Sequence, residues 1–256
     1  MTQSRNWFIE RFVEAHIALM FLSRIPTGRV SEPVPTIASA TWAFPLVGAL
    51  IGCVGALGYV LSIAADLPPA MAGIIALALM IAVSGAIHED GLADLADGLG
   101  GGRDVAHKLS IMRDSNLGSY GVLTLILALS LRGLAIMSLA DIVVVASSII
   151  ALAIASRSLM VLGLYFMPSA RSDGLGQAAS RVSLSRTVIA SACGLVALIA
   201  LSPYWLVVLV CMMLGAALIG WLAWRQIGGQ TGDVLGAMQQ CSEIAGWVAI
   251  VSCSAS

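Results

Sequence analysis

Charge is what this chain has least of. Only 11% of its 256 residues are Asp, Glu, Lys or Arg, 59% are hydrophobic, and the mean hydropathy is +0.96. An ordinary soluble domain carries roughly 25% charged residues, so composition excludes a water-soluble globule and leaves an all-α, polytopic integral membrane protein. A net charge of −1 with no long basic run argues against a nucleic-acid partner. Cys53, Cys193, Cys211, Cys241 and Cys253 form no C-x-x-C pair and have no histidine pair nearby. They read as small buried hydrophobes, not as metal ligands. No A-x-A site or twin arginine accompanies the early charges Arg5, Glu10, Arg11 and Glu14, so the N-terminus reads as retained. Without an internal repeat, low-complexity tract or linker, one domain over residues 1–256 is the economical reading.

Long apolar runs, by contrast, are plentiful. A helix needs about 20 residues to cross a hydrocarbon core of roughly 30 Å. Seven such windows lie between polar breaks, at 42–65, 69–87, 120–139, 142–166, 187–201, 204–224 and 234–253. Ahead of them, residues 5–22 interleave Trp7, Phe8, Phe12, Ile17 and Phe21 with charges. That pattern suits a helix lying in the membrane interface, or equally one packed on the bundle. Residues 23–40, with Pro26, Gly28, Pro33 and Pro35, read as a loop. The segments around Asp66–Pro68, Ala140–Asp141 and Ser202–Pro203 hold no Lys or Arg, whereas the alternate ones hold Arg24 and Arg29, Arg103, Lys108 and Arg113, Arg171, Arg181 and Arg186, and Arg225. Cytoplasmic loops are enriched in basic residues, so seven spans place the N-terminus in the cytoplasm and the C-terminus outside.

Directly after the second window comes HEDGLADLADGLGGGRD, residues 88–104. If the span continues as helix past the membrane surface, Asp90, Asp94 and Asp97 fall within an arc of roughly 60°. Leu92, Leu95 and Leu99 take the opposite side, Glu89 stands off the face, and the flexible run Gly98–Gly102 ends the helix. Three aspartates on one face with no interleaved cation repel one another. The bland reading is a solvated helix end; the chemical one is an oxygen-ligand site for Mg²⁺ or Mn²⁺.

The next residues supply cations. Arg103, Lys108 and Arg113, with Asp114 beside the last, could clamp phosphate, although each alone reads as an ordinary positive-inside residue. SDGLGQ (172–177) and GGQTGD (228–233, with Gly228, Gly229, Gln230 and Asp233) are glycine-rich turns whose N–H groups could approach a phosphate or a base. Within the spans, Arg157 and Glu243 must face the interior, as a structural pair or as a pocket floor with Gln239 and Gln240. Arg132, nearer the opposite surface, reads as snorkelling. His88 and His107 are weak candidates for general bases, and His16 has no chemical company.

LSRIPTGR (22–29), FPLVG (44–48), the acidic motif at 88–104, IMRDSNLGSYG (111–121), SRS (156–158), DGLG (173–176) and GGQTGDVLGA (228–237) occur in one order along the chain. This series resembles the cobalamin 5'-phosphate synthase family, the adenosylcobinamide-GDP ribazoletransferases. The resemblance implies a Mg²⁺-dependent enzyme of the bacterial cytoplasmic membrane, its active site facing the cytoplasm, that joins adenosylcobinamide-GDP to α-ribazole or its 5'-phosphate and releases GMP. It also implies association with other enzymes of cobalamin biosynthesis. On these motifs, Asp90, Asp94 and Asp97 would hold the metal, with Asp94, Asp97, Arg113 and Asp114 catalytic. Arg103, Lys108, Arg157, Gly228, Gly229, Gln230 and Asp233 would bind substrate.

Two rivals stand beside it. Other Mg²⁺-dependent membrane phospho- or prenyl transferases also carry aspartates on helices, but a CDP-alcohol phosphotransferase would show Arg where Asp94 follows Asp90-Gly91-Leu92-Ala93. A cation-coupled transporter would place its site near the bilayer midplane, usually with internal repeats.

Overall fold

The computed structural model describes residues 2–28, 30, 34–173 and 182–254, with side chains from residue 7 onward. Arg29, Arg181 and residues 174–177 of the SDGLGQ turn lie outside the described residues. Among those described, the chain is helical apart from its loops and one isolated parallel bridge, Ser169 to Gln230.

The elements are α1 (Thr2–Leu22), α2 (Ile37–Ala40), a 3-10 turn (Thr41–Ala43), α3 (Phe44–Ala64), α4 (Pro69–Ser84), α5 (Ile87–Gly101), α6 (Val105–Ile111), α7 (Ser119–Ser138), α8 (Ile142–Phe166), α9 (Leu184–Leu201), α10 (Trp205–Ile227) and α11 (Gly232–Ser254). Among the described residues, six stretches are long and apolar enough to cross a membrane: 37–64, α7, α8, α9, α10 and α11. The pair α4 and α5 passes the same test only jointly and is bent by 88°. Counted as one broken span, it completes the seven that hydropathy placed. The chain is a multi-pass helical membrane protein.

The bend corrects the expectation of one continuous helix through the acidic motif. Gly85 (φ 71°) and Ala86 (φ 58°) are both left-handed. The Gly85 N–H closes α4 on the Ile81 carbonyl, and the Ala86 carbonyl accepts from the Asp90 N–H to open α5. Glycine adopts this conformation freely, whereas alanine does so at a cost of roughly 1–2 kcal/mol. The run after Asp97 is also not a flexible end. Helix α5 continues to Gly101 because α7 packs over it; a methyl group on Gly100 would stand 2.7 Å from the Tyr120 ring.

Helix α8 is the centre of the bundle, packed on α3, α9 and α11, while α11 packs in turn on α5, α7 and α10. Peripheral α10 turns Leu206, Leu214, Leu218, Trp221 and Trp224 outward, the composition that lipid chains accept. The cysteines are free but not buried as expected: Cys53 is exposed on α3 and the others are half-buried. Outward faces here meet lipid, which tolerates a thiol. Helix α1 combines both readings offered for it. Trp7, Phe8, Ile9 and Phe12 are exposed, while Ile17, Ala18 and Leu22 are buried. Buried Glu14 ties α1 down by accepting from Trp42 Nε1 at 2.7 Å and pairing with Arg11 at 2.8 Å and Arg186 at 3.4 Å.

The cation-free connections 65–68, 139–141 and 202–204 join α3 to α4, α7 to α8 and α9 to α10 at one end of the bundle. The opposite end carries α6, the loop after α8 and the turn between α10 and α11, with Arg103, Lys108, Arg113, Arg171 and Arg225.

Candidate active site

Two helices bring the carboxylates together at that basic end. Asp90 and Asp94 lie one turn apart on α5, and Asp233 stands in the first turn of α11. Their approach depends on Gly91, where a Cβ would come within 2.9 Å of the Asp233 Cα. Thr231 fixes Asp233 from the other side: its hydroxyl donates to Asp233 Oδ2 at 3.2 Å and accepts from the Val234 N–H at 3.3 Å. Asp94 is surrounded by the like charges of Asp90, Asp233 and Asp97, and the cation facing this group is Arg171. Arg171 Nη1 lies 3.6 Å from Asp233 Oδ2, and its Nη2 donates to the Leu109 carbonyl at 3.2 Å. Sequence reasoning counts Arg171 only as a loop cation.

Asp97, expected as the third metal ligand, is engaged otherwise. Its side chain is buried, and its two oxygens accept from the N–H groups of Gly118 at 2.8 Å and Gly121 at 2.9 Å. It therefore caps the N-terminus of α7, where a carboxylate also meets the positive end of the helix dipole. Helical angle places Asp97 on the Asp90 face, but the arrival of α7 over the last turns of α5 claims its oxygens. The glycines of the LGSYG segment leave the room for it.

The expected cations do not converge on one partner. Arg113 donates to Asp173, not to its neighbour Asp114. Asp114 instead accepts from the backbone and side-chain N–H groups of Asn116 at 3.0 and 2.7 Å, closing a local turn. Lys108 Nζ donates to Gln226 Oε1 at 2.7 Å, bracing α6 on the end of α10. Arg103 is exposed. Arg113, Arg171, Ser110, Ser172 and Asp173 line a surface depression of about 450 Å³. Arg171 thus belongs both to this depression and to the carboxylate group.

Three further candidates sit inside the bundle or in packed turns. Arg157 is 3% exposed, donates to the Ala153 carbonyl at 2.9 Å and stands 4.0 Å from Glu243, the internal pairing offered for it. Arg132 does not snorkel. At 2% exposed, it pairs with Glu243 at 2.6 Å and Glu89 at 3.4 Å and donates to Gln240 at 3.0 Å. Gln239 and Ser156 complete this internal network around Glu243. Part of the GGQTGD turn is tied to the loop after α8. Gly228 (φ 80°) ends α10, and Gln230 is fully buried, its N–H donating to the Pro168 carbonyl at 2.8 Å and its carbonyl accepting from Ala170 at 2.8 Å. Gly229 packs on Pro168. What the turn delivers to the site is Asp233.

Among the described residues, no three His, Cys, Asp or Glu side chains are grouped as a three-ligand metal centre requires. The arrangement still fits Mg²⁺, which is commonly held by one or two carboxylates together with substrate phosphates. Asp90 and Asp94 supply hard oxygen ligands in a group whose charges repel, and a cation between them would relieve that repulsion.

Residues 14–251 match the family model described as cobalamin-5-phosphate synthase. The chain belongs to the cobalamin-5-phosphate synthase family. A relative from Bradyrhizobium diazoefficiens, named adenosylcobinamide-GDP ribazoletransferase, is 44% identical over 235 residues, 90% of each chain. Relatives of the same name from Xanthobacter autotrophicus and Azorhizobium caulinodans are 43% and 40% identical, covering 89% of this chain and 91% of theirs. No solved structure matches. In this member of the cobalamin-5-phosphate synthase family Glu89 pairs with Arg132 inside the bundle, Asp97 caps α7, and Asp90 and Asp94 stand together beside Asp233.

Proposed function

We propose that this protein joins adenosylcobinamide-GDP to α-ribazole or its 5'-phosphate, forming adenosylcobalamin or its 5'-phosphate and releasing GMP. The observation that carries this reading is the carboxylate pair Asp90 and Asp94 beside an arginine-lined depression, in a chain similar over nine-tenths of its length to proteins named for this transfer. Mg²⁺ held by Asp90 and Asp94 would supply Lewis-acid polarisation of the diphosphate.

The rest falls to the side chains. The ribose 3'-oxygen bonds to the phosphorus that carries cobinamide, the phosphorus–oxygen bond to GMP breaks, and the hydroxyl proton passes to a carboxylate. Asp233, held by Thr231 and Arg171, would accept it. Arg171 and Arg113 neutralise the charge moving onto the leaving phosphate. Gathering the basic residues at the site end supports an active site facing the cytoplasm, in the bacterial inner membrane.

The test is the detergent-purified protein with adenosylcobinamide-GDP, α-ribazole 5'-phosphate and Mg²⁺, with and without EDTA, following GMP release and corrinoid mass. Metal-dependent formation of the phosphorylated cobalamin is the expected result. No product from folded protein with either ribazole would overturn the reading.

A further inference from the structure

Helix α10 packs on α11 and hardly touches the central helix α8. Between α8 and α10 this leaves an open groove of about 430 Å³, apart from both the carboxylates and the arginine-lined depression. One wall is Leu159, Gly163 and Met167 of α8, the other Ala217, Gly220 and Trp221 of α10, and no charged residue lines it. From Trp224 back to Met213 along α10 the groove runs about 16 Å, at a rise of about 1.5 Å per residue. That is half of a hydrocarbon core of roughly 30 Å, so the groove spans one leaflet, beginning at the end of the bundle that carries the basic residues. A smaller cavity of about 180 Å³ adjoins its inner end, sharing Leu159, Leu162 and Met213, and continues between α8 and α9.

The mouth of the groove differs from its walls. Trp221 and Trp224 are both half exposed there, and tryptophan favours the boundary between membrane and water. Arg225 lies over the Trp221 ring, its guanidinium carbon 5.7 Å from the ring centroid. It is exposed, and among the described residues no carboxylate pairs with it. An apolar channel one leaflet deep, with a single unneutralised cation at its mouth, matches an amphiphile with a hydrocarbon tail and a negative head. A zwitterionic head fits less well, because no acidic side chain lines the groove to receive its ammonium group. A helix of a second copy fits less well too. Drawn out over its length, this volume is narrower than a helix with its side chains, which is about 10–12 Å across.

We propose that the groove between α8 and α10 binds one anionic phospholipid of the leaflet at the basic end. Its phosphate meets Arg225, and an acyl chain lies against Ala217 and Gly220. A chain seated there also packs on Met167, from which the loop runs on to Arg171.

Native mass spectrometry of the purified protein, titrated in detergent with phosphatidylglycerol or with phosphatidylcholine of the same acyl chains, reads the site without turnover and so independently of the transferase reading. One phosphatidylglycerol should bind at about tenfold lower concentration than phosphatidylcholine, the worth of one charge-assisted contact. Arg225→Gln should abolish that preference and leave phosphatidylcholine binding within about twofold. Ala217→Phe fills the groove and should weaken both lipids about tenfold or more, the scale on which apolar pockets discriminate. Both side chains are exposed, so neither substitution disturbs packing inside the bundle. Equal affinity for the two lipids in the wild-type protein, or a preference that survives Arg225→Gln, would overturn the proposal, as would lipid binding that Ala217→Phe leaves unchanged. A dimer in place of the lipid adduct, lost in Ala217→Phe, would overturn it in favour of a second copy of the chain.

Discussion

Four carboxylates share α5, and the protein treats them in two ways. Glu89 and Asp97 are buried and matched: Glu89 by Arg132 and Gln240, Asp97 by two backbone N–H groups of α7. Asp90 and Asp94, between them in sequence, face one another and Asp233, and the countercharge they meet is Arg171. A buried carboxylate without a partner costs several kcal/mol, so the inward pair is neutralised by the fold itself. The other pair lies toward Arg171, which also lines the surface depression. On the proposed function the difference separates architecture from chemistry within nine residues, and it can be broken from either side.

The largest effect on stability should come from Arg132→Met. It strands Glu89 and Glu243 in the interior, and removing one partner of a buried ion pair typically costs about 3–5 kcal/mol. Chemical denaturation in detergent should show that loss, with part of it restored when Glu243→Gln is added. Asp97→Ala comes next. Losing a charged helix cap should cost about 2 kcal/mol, visible as a lowered Tm and faster amide exchange at 118–121, with turnover per folded molecule changed by less than about threefold. The smallest effect on stability belongs to Arg113→Ala, since its partner Asp173 is exposed and such pairs contribute about 0–1 kcal/mol. Its mark should be kinetic, a rise of about tenfold in KM for adenosylcobinamide-GDP, as for loss of one phosphate contact. Unaltered KM would remove Arg113 from the site.

Hydropathy and charge make much of this legible. Seven apolar windows and three cation-free loops correspond to six spans, one bent pair and the two ends of the bundle, because membrane burial writes its length and sign directly into the chain. The acidic stripe is legible because unpaired like charges are costly wherever they lie. The break at Gly85–Ala86 is not: an alanine gives no warning of a left-handed backbone, and tertiary packing imposes it. Asp97 escapes sequence reasoning because helical angle gives the face but not the neighbour. Arg132 reads as snorkelling because its partners lie 43 and 111 residues away. Arg171 is hidden for the same reason: only the folded chain brings a loop cation to the first turn of α11.

The central claim is that Asp94 serves chemistry while Asp97 serves structure. It is tested most directly by measuring turnover and Tm of Asp94→Asn and Asp97→Asn side by side, with adenosylcobinamide-GDP, α-ribazole 5'-phosphate and a Mg²⁺ titration. Asp94→Asn should keep its Tm and lose about a thousandfold or more in turnover, the scale of several kcal/mol of lost metal-assisted stabilisation. Asp97→Asn should lose Tm and keep its turnover once folded. Full activity in Asp94→Asn at ordinary Mg²⁺, or abolished activity in a fully stable Asp97→Asn, would contradict the account.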